Sequence, residues 1–102
     1  MKIKDVVLLS EVADDLNDGM MFYEAKETGV GVYFWDSVIA DIESLVVYAG
    51  IHSKKYDLHR MSAKRFPYAI YYEIYDDTAY VIAVLPMRRD PLWIDSKLKG
   101  RS

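Results

Sequence analysis

At 102 residues, with 52% hydrophobic and 14% aromatic side chains, the chain is long and apolar enough to fold as one domain around one core, and too apolar to be intrinsically disordered. It has no cysteine, which excludes disulfides, thiolate nucleophiles and zinc ribbons and suits a reducing compartment, so the cytoplasm is the expected location. The net charge of −3 argues against a nucleic-acid binder, but the average conceals an imbalance: residues 1–51 carry three basic and ten acidic side chains, a net of −7, and residues 52–102 carry ten basic and six acidic, a net of +4.

Two readings fit that imbalance: a polar partner for the basic half, or attraction between the two halves across the fold. The N-terminal "MKIKDVVLLSEVADDL" holds an apolar run of only about four residues, against roughly 18 for a membrane span and 7–15 for a signal peptide. Neither export nor membrane insertion is expected.

In chain order, Ile3 to Leu9 is short and rich in branched residues and predicts a first strand. Ser10 stands where an N-cap would, with Glu11, Asp14 and Asp15 in the opening turns, where negative charge suits the helix dipole. Val12, Leu16, Met20 and Tyr23 then share one face of a helix reaching about Lys26, in which Gly19 is an ordinary destabilising interior residue. Gly29 and Gly31 interrupt it. A second helix is expected from Val32 or Tyr33, with Phe34, Val38, Ile42, Leu45 and Ala49 on its apolar stripe, Asp36, Asp41 and Glu43 outward, and Gly50 as its C′ residue.

From Tyr56 the period changes to two. "KKYDLHRMSAKR" predicts an irregular strand, and "FPYAIYYEIY" a strand with Phe66, Tyr68, Ile70, Tyr72 and Ile74 on the core face and Tyr71 and Tyr75 on the other. Asp76-Asp77 forms a hairpin turn, and Thr78–Leu85, apolar on both faces, is a central strand. The tail "DSKLKGRS" frays or forms a short last helical turn. The expected fold is therefore α+β with the order β-α-α-β-β-β, a helical hairpin packed on one face of a mainly antiparallel four-strand sheet.

Most familiar chemistries find no support. Gly29-Val30-Gly31 lies between two helices and not between a strand and a helix, so it lacks the context of a phosphate loop. His52 and His59 have no cysteine or carboxylate at metal-ligand spacing, so no metal site is expected, and no serine stands in a G-x-S-x-G frame. Asp14-Asp15 point apart on a helix, and Asp76-Asp77 belong to a turn. What remains is a basic set: Arg60, Lys64 and Arg65 before the middle strand, and Arg88 and Arg89 after the last, with Trp93 beside them. If residues 60–65 and the exit of the last strand lie on neighbouring strands, these form one patch suited to phosphate or aromatic contacts. Arg88-Arg89-Asp90 could equally be a surface turn in which one arginine pairs with Asp90 or with the acidic helices.

The stretch "RFPYAIYYEIYDDTAYVIAVLPMRRDPLW", residues 65–93, resembles the RelE/ParE superfamily of type II toxin–antitoxin toxins, which includes plasmid stabilisation proteins. "ADDL" at Ala13–Leu16, "YEAKETGVGVYF" at residues 23–34 and Val38–Leu45 extend the resemblance over nearly the whole chain. It implies a cytoplasmic growth inhibitor without cofactor, neutralised by a cognate antitoxin, whose target is DNA gyrase in one branch and ribosome-bound mRNA in another. The ribonucleases of the family carry an arginine where this chain has Ala69, a basic residue where it has Met87, and a tyrosine near Trp93. An indole does not transfer protons as a phenol does. Arg89 and Lys64 keep basic positions, so the resemblance implies a gyrase-inhibiting, ParE-like binder, with a metal-independent endoribonuclease or a non-toxic member that only binds its antitoxin as alternatives. In each case Arg60, Lys64, Arg65, Arg88, Arg89 and Trp93 are the candidate contacts.

Overall fold

The computed structural model describes residues 3–101. Strand β1 (Asp5–Leu8) leads into α1 (Ser10–Lys26), α2 (Val30–Glu43) and the single turn α3 (Leu45–Tyr48); β2 (Lys54–Lys55), β3 (Leu58–Ser62), β4 (Tyr68–Tyr75) and β5 (Thr78–Pro86) follow, and α4 (Pro91–Lys99) ends the chain. The sheet order is β1-β5-β4-β3-β2, with β1 parallel to β5 and every other pair antiparallel. The class and the mainly antiparallel sheet agree with expectation. The sheet has five strands where four were expected, because Lys54–Lys55 turns back on Leu58–His59 through Tyr56-Asp57, both in left-handed backbone (φ 58° and 63°).

One face of the sheet takes the helical hairpin. Val12, Leu16, Phe34, Val38, Ile42 and Leu45 meet Tyr68, Ile70, Tyr72, Val81 and Val84 in the larger core. The hairpin is closer than its sequence suggests: a Cβ on Gly19 would come 2.4 Å from the Phe34 ring, and one on Gly31 would come 2.6 Å from the Met20 carbonyl oxygen. Gly19 is thus a contact point between helices and not an ordinary interior glycine. The second helix starts at Val30, ahead of the expected Val32 or Tyr33, because the Glu24 carboxylate of α1 accepts the Gly29 and Gly31 N–H groups at its open end. It also breaks before Gly50. The Ser44 hydroxyl donates to the Asp41 carbonyl at 2.6 Å, and α3 follows as a separate turn. Asp41, expected to point outward, is buried and accepts the Lys64 N–H at 3.0 Å. Ser10 is likewise no cap: Leu9 holds the N-cap position, and the Ser10 hydroxyl turns to Glu11.

The opposite face is not bare. Leu58, Ala69, Tyr71, Ile82, Ala83 and Leu85 pack with Ile94 and Leu98 of α4 in a second core. The tail from Asp95, expected to fray or form a short last turn, instead completes a nine-residue helix, started by Asp90, whose carboxylate accepts the Leu92 N–H at 2.8 Å, and by Pro91 in its first turn. Tyr71 leaves the hairpin face as the alternation required, but α4 buries it completely. In β5 the pairing passes from Tyr71↔Ala83 to Tyr72↔Val81, so Ile82 has no partner and two successive residues, Ile82 and Ala83, face α4.

Candidate functional site

A groove of about 500 Å³ opens where α1, the exit of β5 and α4 converge. Its α1 wall presents Asp18, Phe22 and Tyr23, its floor is Tyr68, Leu85 and the two prolines Pro67 and Pro86, and its far wall carries Arg88, Arg89, Trp93 and Lys97. Spacing explains both walls: Asp18 and Phe22 are one turn apart on α1, as are Trp93 and Lys97 on α4. The chain leaves β5 at Pro86, and the Met87 N–H donates to the Pro67 carbonyl at 2.9 Å, which fixes the start of the arginine turn.

The Arg89 guanidinium lies 4.0 Å from the Trp93 ring centre and the Lys97 ammonium 5.4 Å from it. Arg88 is exposed at the rim near Tyr23, where its charge partly opposes the upward pull of burial on the Tyr23 phenol. Among the described residues neither arginine pairs with a carboxylate. The surface-turn reading, with an arginine on Asp90, fails because that carboxylate caps α4 instead. Tyr68 is pushed up to about 12, first by burial and then by the neighbouring Tyr23, Asp18 and Asp15. Its phenol stays protonated at neutral pH and can donate but not act as a base.

Beneath the groove, Asp15 and Arg101 form a buried ion pair. The Arg101 Nη2 donates to Asp15 Oδ1 at 2.7 Å, Asp15 Oδ2 also accepts the Val84 N–H at 3.0 Å, and a second Arg101 nitrogen reaches the Ile82 carbonyl at 3.3 Å. The bond to Asp15 holds the guanidinium charged against burial. Asp15 is therefore withdrawn from the groove's chemistry, and its partner lies within the segment expected to fray or form a short turn.

The six residues singled out from sequence divide into two groups. Arg88, Arg89 and Trp93 meet at the groove. Arg60 does not join them: it lies on β3, opposite Tyr71, and β4 separates it from β5, so the single patch expected from neighbouring strands does not form. Arg60 is half-buried, with its Nε enclosed and without a hydrogen-bond partner among the described residues. Lys64 and Arg65 are exposed in the β3–β4 loop, anchored through the Lys64 backbone on Asp41. Lys97, Asp18, Phe22 and Tyr68 were missed. The first was legible: Asp-Pro at 90–91 is a helix start, and it puts Trp93 and Lys97 on one face. The other three join the groove only through the packing of α1 on the sheet.

His52 and His59 meet instead at Tyr72, away from the groove, and among the described residues no three His, Asp or Glu side chains gather as a metal ion would require. No helix among those residues is long and apolar enough to cross a membrane.

No protein-family profile and no curated protein matches the sequence. Among solved structures, a chain of the "Chromosomal ParDE TA system from P. aeruginosa" superposes with a TM-score of 0.75 at 10% identity, over 84% of this chain and 98% of that one. At such identity the likeness establishes a shared fold.

Proposed function

We propose that this chain is the toxin of a type II toxin–antitoxin module, ParE-like in type, which slows growth in the cytoplasm by binding a cellular target such as DNA gyrase and is neutralised by a cognate antitoxin. The observation that carries this reading is the groove at the end of β5, where Arg88 and Arg89 stand without carboxylate partners among the described residues, beside Trp93, on a fold shared with a chain of a ParDE system. Unpaired arginines and an aromatic at the mouth of an apolar cleft are the groups that anchor macromolecular interfaces. Arg88, Arg89 and Trp93 are its contact residues, and Arg60, Lys64 and Arg65 form a separate basic set.

The ribonuclease alternative is weaker on chemical grounds. Lys64 is not among the residues lining the groove, the position of the expected phenol is an indole, and burial raises both phenols that line the groove, Tyr23 and Tyr68, the latter to about 12, away from what acid–base work at neutral pH needs.

Induced expression without a partner gene tests the reading. Growth arrest, inhibition of gyrase supercoiling by the purified protein and intact transcripts in primer extension are the expected results. Cuts in translated mRNA that disappear in Arg89→Ala would replace it with the ribonuclease reading.

A further inference from the structure

The two walls of the groove carry opposite charge. Arg88, Arg89 and Lys97 line one side, and Asp18 faces them from α1. None of the four has an ion-pair partner among the described residues. The acidic side continues beyond Asp18: Asp14 stands one turn earlier on α1, and both Asp14 and Glu11 lie close enough to Arg101 to favour its charge. Between the walls the surface is aromatic and apolar, made by Phe22, Tyr23, Tyr68, Leu85 and Trp93. Phe22 is 53% exposed, with the Lys26 ammonium over its ring at 4.8 Å and a T-shaped contact with Tyr23.

A polynucleotide fits such a groove poorly. Its phosphates repeat at every residue, so a strand lying against Arg88 and Lys97 would draw further phosphates past Asp18, Asp14 and Glu11. A peptide has no such constraint, because it can place one carboxylate, one large side chain and one cation where each is wanted.

We infer that the groove binds a segment of a partner protein in which an aromatic side chain is flanked by an acidic residue on one side and a basic residue on the other, the ring entering between Phe22 and Trp93, the carboxylate meeting Arg88 and Lys97, and the cation meeting Asp18. This rests on the reading of the chain as a protein-binding toxin and specifies what its partner offers this site. The volume of about 500 Å³ is of the size that takes a few side chains. The Tyr68 phenol adds a fixed donor on the floor for a backbone carbonyl of the peptide.

Selection of a random peptide library displayed on phage against the intact protein tests the inference, with a uridine octanucleotide as competitor. Enriched peptides should share an aromatic residue between opposite charges and lose at least ten-fold in affinity to Arg88→Glu and to Phe22→Ala, both changes at exposed positions that leave the core untouched. Asp18→Lys should shift the selection to peptides without the basic residue. No enrichment, enriched peptides that bind Arg88→Glu undiminished, or displacement by the octanucleotide at equal affinity would each overturn the inference. Growth arrest separates it from the function proposed above. An arresting protein that selects no peptide loses only the groove assignment, and a protein that selects such peptides without arresting growth loses only the toxin reading.

Discussion

The ring of His52 is held through Tyr72, whose hydroxyl accepts the Gly50 N–H at 2.9 Å and shares a hydrogen bond with His52 Nδ1. The His59 Nδ1–H closes the arrangement on the His52 carbonyl at 2.7 Å, and its ring stacks on Tyr72. Burial, and then the charge of His59, lower the His52 pKa below its ordinary 6.5. The unfolded chain therefore takes up a proton that the folded one resists, and stability is lost as pH falls below 6.5. Thermal unfolding between pH 7.5 and 5 should show this decline, and His52→Asn should flatten it; an unchanged slope in the variant would assign the decline elsewhere. Tyr68 acts at the other end of the scale. Raised to about 12, it stays protonated while the unfolded phenol ionises near 10, so stability falls as pH rises from 10 towards 12 and should fall less in Tyr68→Phe. The Asp15–Arg101 pair is tested by truncation: Arg101→Met leaves a buried carboxylate and should cost about 3 kcal/mol or more in urea unfolding. Adding Asp15→Leu should recover part of that loss, with the remainder left to the Val84 N–H that Asp15 satisfies.

Helix α1 does more than its apolar stripe announces. The stripe of Val12, Leu16, Met20 and Tyr23 does face the core, but Gly19 sets how closely α2 approaches and Glu24 caps the start of α2. Gly19→Ala therefore tests packing more than helix propensity. In isolation alanine favours a helix, yet here the added methyl meets the Phe34 ring, and a net loss of about 1–3 kcal/mol is expected in chemical unfolding. Phe34→Leu in the same chain should reduce that loss, since it clears the contact. The last helix shows the reverse relation between pattern and structure. Asp90-Pro91 signals a helix start, but the nine residues of α4 contribute only Ile94 and Leu98 to the core, too few to show a periodic stripe. The same two residues nevertheless cover Tyr71 and Leu85, and they turn Trp93 and Lys97 to the groove.

Over the whole molecule, one sheet separates two cores, and this arrangement explains which readings held. A chain ended at Asp90 would expose Leu58, Tyr71, Ile82 and Leu85, and it should bind a hydrophobic dye such as ANS and unfold at lower urea than the intact protein. The charge imbalance between the halves is resolved in part by a buried pair, Asp15 with Arg101, while Arg88, Arg89 and Lys97 keep their charge at an open groove. The α+β class, the helical hairpin and the Asp76-Asp77 turn were all legible in the sequence, because periodicity and turn chemistry are local properties. Sequence did not reveal that Arg60 stands apart from the arginines, that Asp15 and Asp41 are buried, or that Asp18, Phe22 and Tyr68 belong to the same groove as Trp93. Those facts depend on strand order and on the approach of helices distant in sequence. By itself the sequence determined the first strand, the helical hairpin and the two long strands, though not β2, the separate turn α3 or the full length of α4. Only the tertiary structure decided which of them meet, because burial and charge pairing depend on the neighbours that folding brings together.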